Sequence, residues 1–141
     1  YFTNKGELPE MKDYTFYKDP AKRTVKPELF SSVADQLAQR VHHADVKKNK
    51  RTQIRKFYDE VVRLNALARS YPEDWDHILP LVNMVIAKAA YAEGRKLVTE
   101  DFVEFLKESI RQVQSAEDLD VFTNLFEAFM GFYKKYRPSD N

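Results

Sequence analysis

The chain contains no cysteine, which excludes disulfides, thiolate zinc sites and cysteine nucleophiles together. Glycine is scarce: Gly6, Gly94 and Gly131 are the three in 141 residues. So few glycines exclude Walker-type and dinucleotide-cradling loops, argue against tight hairpins, and favour helices joined by short links. No apolar run approaches the ~20 residues that span a bilayer, and no segment reads as a signal peptide. A cytoplasmic protein with no membrane partner is therefore expected. Excess charge of one sign is also missing overall, since 23 Lys and Arg against 22 Asp and Glu leave a formal net charge of +1. Present in quantity are apolar residues (43%) and aromatics, with ten Phe and eight Tyr. That is enough for one domain around one core.

The near-neutral total hides an uneven distribution. Lys47 to Lys56 read K-K-N-K-R-T-Q-I-R-K, with six cations and no acid in ten residues. Their mutual repulsion would be relieved by a polyanion that releases counterions on binding, and nucleic acid is the obvious one. Farther along stand Glu100, Asp101, Glu104, Glu108, Glu117, Asp118 and Asp120, against only Lys107 and Arg111. A fold with one basic and one acidic side is expected. A solvated surface is the alternative reading of the basic run by itself.

Residues 1–26 lack a clean period and hold Phe2, Tyr14, Phe16 and Tyr17 between Gly6, Pro9 and Pro20. They read as an N-terminal tail, partly ordered by its aromatics or else flexible, ahead of a domain over 27–137. Pro27 suits the first position of a helix, and Phe30, Val33, Leu37 and Val41 continue as its stripe. Thr52 is the expected cap of a second helix reaching Ser70, with Ile54, Phe57, Val61, Leu64 and Ala68 inward. Tyr71-Pro72 ends it, because the residue before proline is pushed out of helical geometry. Residues 73–79 are expected to add at most a short turn. Pro80 is placed at the first turn of a separate helix, 80–93, where its missing N–H costs little, with Gly94 as the C-terminal cap. Thr99 caps a helix from 100 to about 114, with Phe102, Leu106, Ile110 and Val113 inward. Ser115-Ala116-Glu117-Asp118 resembles a capping box opening the last helix, 116–136. No segment alternates and no strand is required. The expected fold is all-α, a single compact bundle of about five helices.

Enzyme chemistry finds little support. His42 and His43 are adjacent, so on a helix they diverge by about 100°, and no third ligand stands at a zinc-like spacing. His77 has Asp74 and Asp76 nearby but no second histidine. The carboxylates at 73–76, 100–104 and 117–120 fall at expected helix starts, where the dipole favours negative charge. No cofactor, metal or catalytic residue is assigned.

The cations are more informative. Arg51 and Arg55, four apart, share a helix face, with Lys56 and Arg63 flanking it. Lys88, Tyr91 and Arg95 lie at i, i+3 and i+7, with Lys96 following. A ring between two cations can pack on a sugar or base while the cations take phosphates. Equally, Tyr91 can be half-buried with Lys88 and Arg95 covering it.

Three runs carry a family resemblance: Thr52-Gln53-Ile54-Arg55-Lys56-Phe57-Tyr58, Lys88-Ala89-Ala90-Tyr91-Ala92-Glu93-Gly94-Arg95, and Leu125-Phe126-Glu127-Ala128-Phe129 through Tyr133. In order and separation they resemble the small subunit of the type III-A CRISPR-Cas effector, the Csm complex, over about residues 27 to 137. The resemblance implies a non-catalytic antiviral-defence component, present in several copies, that contacts the backbone of a guide RNA and target RNA duplex. It implies other Csm subunits and further copies of itself as partners. By position it assigns RNA contact to Arg55, Lys56, Lys88 and Arg95, with Lys48, Arg51 and Lys96 as weaker candidates, while Gln53 and Tyr91 contribute hydrogen bonds or packing. A different function remains open on the sequence. Leu125, Phe126, Phe129, Met130, Phe132 and Tyr133 cover more of the last helix than a core needs, which suits a protein-interaction scaffold or a homodimer in isolation. A helix-turn-helix DNA reader fits poorly, because the link around 70–80 is too long for its tight turn.

Overall fold

The computed structural model describes residues 14–139. Five α-helices dominate: α1 (Ala34–Ala44), α2 (Arg51–Ser70), α3 (Trp75–Gly94), α4 (Glu100–Ile110) and α5 (Ala116–Tyr136). The fold is all-α, as the spacing of apolar residues requires. It carries one small addition that the sequence does not announce, an antiparallel pair of strands, β1 (Tyr17–Asp19) and β2 (Thr24–Val25). Among the described residues no helix is long and apolar enough to cross a membrane.

The long α5 is the centre. It packs against α1 and α2, and its rings interleave with those of α4. Phe105 of α4 stacks on Phe129 at 4.7 Å between centroids, and Phe129 stacks on Tyr133 at 5.4 Å. Phe102, Phe122 and Phe126 complete the cluster, all fully buried. Such ring pairs add roughly 0.5–1.5 kcal/mol each beyond the area they bury. α3 completes the bundle against α2 and α4.

This arrangement removes the spare apolar surface expected on the last helix. Leu125, Phe126, Phe129 and Tyr133 are buried, and Met130 and Phe132 are half-buried against the core. A helix enclosed by three neighbours needs apolar residues around most of its circumference. The exposed large apolar residues are elsewhere, with Leu81, Met84 and Tyr91 on α3.

Several local expectations are corrected. A π-helical turn, Leu29–Val33, precedes α1, closed by the Val33 N–H donating to the Glu28 carbonyl. The extra residue per turn rotates Leu29 inward and leaves Phe30 exposed. Pro27 lies in the turn before it. Pro80 sits inside α3, not at its start, after a 3₁₀ turn at Pro72–Asp74. Ile78, Val82, Val85, Ala89 and Ala92 form one buried stripe across it. Pro80 and Asp76 are both exposed, on the face of α3 opposite the buried stripe, and packing along that stripe outweighs the one helical bond that proline cannot donate. Lys50, not Thr52, holds the N-cap position of α2, and its side chain makes no cap bond. The left-handed residue after α3 is Lys96 at φ 63°, two beyond Gly94. At α5 the capping expectation holds, since the Asp118 N–H donates to Ser115 Oγ at 3.2 Å.

Residues 14–26 pack onto α4 and α5. The Tyr14 hydroxyl donates to the Phe105 carbonyl at 3.1 Å and lies 2.6 Å from Ser109 Oγ. Phe16 is fully buried, and its N–H donates to Gln112 Oε1 at 2.9 Å. Phe2, also named from the sequence, lies outside the described residues.

Candidate nucleic-acid interface

The basic run divides between two elements. Lys47, Lys48 and Lys50 lie in the loop between α1 and α2, and Arg51, Arg55 and Lys56 lie in the first turns of α2. The loop begins with Asp45, whose carboxylate accepts from the N–H groups of Lys47 at 2.8 Å and Lys48 at 3.3 Å. Those backbone bonds, the Lys47 one first, hold its carboxyl below the usual carboxylate range.

Asn49, at the centre of the run, is fully buried with φ 57°, a conformation that asparagine tolerates better than most residues. Its side chain donates to the Val41 carbonyl at 3.1 Å and to Thr99 Oγ1 at 2.8 Å, and it accepts from the Thr99 N–H at 2.9 Å. Its own N–H donates to the Leu97 carbonyl at 3.0 Å. One residue thus ties α1 to the link between α3 and α4, at the point where α2 begins. The start of α2 and the end of α3 therefore lie at the same end of the molecule.

The expected contact residues fall along this end. Arg55 is exposed, pairs loosely with Asp59 at 3.4 Å, and lies over the Tyr58 ring at 5.8 Å. Lys56 is exposed. Lys88 reaches from α3 to Glu60 of α2 at 3.3 Å, a carboxylate that also accepts from Arg63 at 2.9 Å. Arg63 first, then Lys88, depresses the Glu60 pKa. Tyr91 is 69% exposed, so it is an open ring and not a half-buried one. Arg95 lies over it at 5.9 Å. Lys96 is exposed, whereas Lys48 and Gln53 are half-buried. Among the described residues Lys56, Arg95 and Lys96 form no ion pair. Arg51 is turned inward in part, donating to the carbonyls of Arg137 at 3.0 Å and of Pro138.

Helical register sorts these side chains into two adjoining lanes. Lys56 shares its face with Glu60 and Arg63. Because Lys88 meets Glu60 across antiparallel helices, Lys56, one turn earlier, comes level with Tyr91, and Arg95 follows one turn beyond. Arg55 lies about 100° around α2 from Lys56, beside a groove of about 530 Å³ lined by Arg51, Thr52, Arg55, Lys56, Asp59, Met130 and Lys134. Lys56 belongs to both lanes. Lys134 was not singled out from the sequence. Its position near the C-terminus of α5 was the available signal, since cations are favoured there by the helix dipole.

The groove sets four cations against one carboxylate on rigid helices. Such a surface can hold phosphates by charge, with Thr52 and backbone groups as neutral hydrogen-bonding neighbours. The His42 and His43 rings lie 4.9 Å apart; His42 Nδ1 accepts from Arg137 Nε at 2.9 Å, and its ring stacks on Tyr136 at 5.9 Å. Among the described residues no three His, Asp or Glu side chains stand close enough to share a metal ion.

A family model described as Csm2 Type III-A matches residues 24–139. No curated protein and no solved structure matches the chain.

Proposed function

The chain belongs to the Csm2 type III-A family, small subunits of the type III-A CRISPR-Cas (Csm) effector complex, and on that premise we propose that it is a non-catalytic subunit holding the backbone of the guide RNA and target RNA without reading bases. The observation that carries this reading is the surface at the start of α2 and the end of α3. There Lys56 and Arg95 are exposed with no carboxylate partner among the described residues; Lys56 shares the groove with Arg55 and Lys134, and Lys88 stands on the same helix as Tyr91. A subunit repeated along guides of differing sequence must position strands without discriminating among bases. Phosphate and ribose contacts do this, and they are what lysine and arginine on helix faces supply. Tyr91 offers a ring for a ribose or a base beside Arg95.

An isolated copy neutralising about three or four phosphates binds RNA weakly at physiological salt. Several copies along one guide bind effectively through high local concentration. The exposed Leu81 and Met84, on the same helix as Tyr91, give a surface for other Csm subunits or further copies. That surface also supports a second reading, a scaffold with no direct RNA role. Reversing charge in Arg55→Glu/Arg95→Glu separates the two. The RNA reading expects salt-sensitive binding to an RNA duplex to be lost with helicity by circular dichroism unchanged. Wild-type binding by the folded double variant would leave the scaffold.

A further inference from the structure

We propose that Arg137 is a positioning residue for RNA binding, a buried guanidinium that clamps the loop 45–50 and so presents the cationic run from Lys47 to Lys56. This rests on the RNA-binding reading above.

Arg137 follows the last turn of α5, near the end of the chain, yet it is only 7% exposed. All five of its N–H donors are used. Nε donates to His42 Nδ1 at 2.9 Å. Nη1 donates to the carbonyls of Lys48 at 2.6 Å and Asn49 at 3.1 Å, and Nη2 to those of His42 at 3.2 Å and Asp45 at 2.6 Å. The Tyr133 ring lies 5.6 Å from its centre, and the Tyr133 hydroxyl donates to the Asn49 carbonyl at 2.6 Å.

Among the described residues no carboxylate pairs with this guanidinium. A cation withdrawn from water without an acid carries a desolvation penalty that an aliphatic side chain at the same helix end would not. What the guanidinium does, and an aliphatic group cannot, is gather four carbonyls from the end of α1 and the loop into one planar fork. With the carbonyls of residues 45, 48 and 49 turned inward onto it, Lys47 and Lys50 are left exposed. The Arg137 backbone carbonyl in turn accepts from Arg51, the first residue of α2. The end of α5 therefore fixes both the loop and the start of the helix that carries Arg55 and Lys56. Ordering these cations before RNA arrives removes a cost that binding would otherwise bear.

The full-length chain tests this in two measurements on Arg137→Gln. Hydrogen exchange of the free protein should speed up at the amides of residues 45–50 while α3 and α4 keep their protection. Affinity for a single-stranded RNA of random sequence should fall roughly tenfold with the slope of log affinity against log salt unchanged, because no phosphate contact is lost. Lys56→Ala, removing a direct contact, should reduce the magnitude of that slope by about 0.7. Unchanged exchange in the loop overturns the clamp, as does loss of protection throughout the bundle. Wild-type affinity despite a loosened loop overturns the positioning role. A shallower salt slope would make Arg137 itself a phosphate contact and likewise overturn it. If Arg137→Gln unfolds the chain, Arg137→Lys decides by the same two readings, since lysine keeps the positive charge but cannot fork across the four carbonyls. Failure of the wild type to bind RNA would remove the function proposed above, whereas the exchange result would still judge the clamp.

Discussion

At the start of α5, Asp118 is buried and fully engaged. It accepts from the Tyr17 hydroxyl, from Arg23 Nη1 at 2.9 Å and from the Gln114 N–H at 3.0 Å. Burial first, and then this hydrogen bond, pushes the Tyr17 pKa up to about 12, so the phenol remains a donor across the physiological range. At the start of α2, internal bonds hold the backbone of residues 45–50 and leave Lys56 with no acid among the described residues. One site spends its charges on attaching residues 14–26 to the bundle. The other uses neutral groups and one buried guanidinium to attach a loop and keeps cations on the outside. A charge neutralised within the fold has a structural role, and a charge left over on a rigid surface is available to a partner.

The sharpest way to break that contrast is to delete one residue from each site. Asp118→Ala removes the buried acceptor that Tyr17, Arg23 and the Gln114 N–H share and should lower stability by about 2 kcal/mol in urea denaturation. Lys56→Ala should change it by less than about 0.5 kcal/mol. Equal costs would mean that both sites are structural.

A smaller effect should come from pH. Partial burial, and then the Arg137 cation and His43, keep the His42 pKa below its ordinary value. The unfolded chain takes up this proton near pH 6.5, before the folded chain does. The stability carried by the neutral ring is thus complete above that pH and is lost as pH falls through it toward the lower folded value. Protonation also deletes the acceptor for Arg137 Nε. The other ionisable groups around the ring are His43 beside it on α1, Tyr136, and Asp35, which accepts from Tyr136. Urea midpoints should drop below about pH 6.5 in the wild type and stay flatter in His42→Gln, whose amide oxygen still accepts from Arg137. Parallel profiles would assign the drop to other groups.

The smallest effect should arise at Glu60, where an exposed cluster shares one carboxylate. Glu60→Gln should cost less than about 1 kcal/mol and steepen the salt dependence of RNA binding by up to about 0.7 for each of Lys88 and Arg63 released to a phosphate. An unchanged slope would place those two cations outside the contact surface.

Sequence periodicity located the helices because most apolar stripes are continuous. All five expected inward residues of α2 are buried, as are Phe102, Leu106, Ile110 and Val113. It misplaced Phe30 because a π turn changes the period locally, and it misplaced the start of α3 because packing across Pro80 outweighs one hydrogen bond. It read α5 as having apolar surface to spare because a pattern on one helix does not say how many neighbours surround it. The candidate surface was legible as cation spacing along α2 and α3. Asn49 and Arg137 were not, since their roles come from backbone carbonyls brought together by folding, and no spacing in the chain encodes that. Lys134 joins the groove by the same tertiary route.

The most direct test of the account is the salt dependence of RNA binding by the wild-type chain and by Arg55→Glu/Arg95→Glu, each on two RNAs of unrelated sequence. The account predicts a wild-type slope of log affinity against log salt of roughly −2 to −3 per copy, the same for both RNAs and close to zero in the double variant. A wild-type slope near zero, or one that follows RNA sequence, would contradict it.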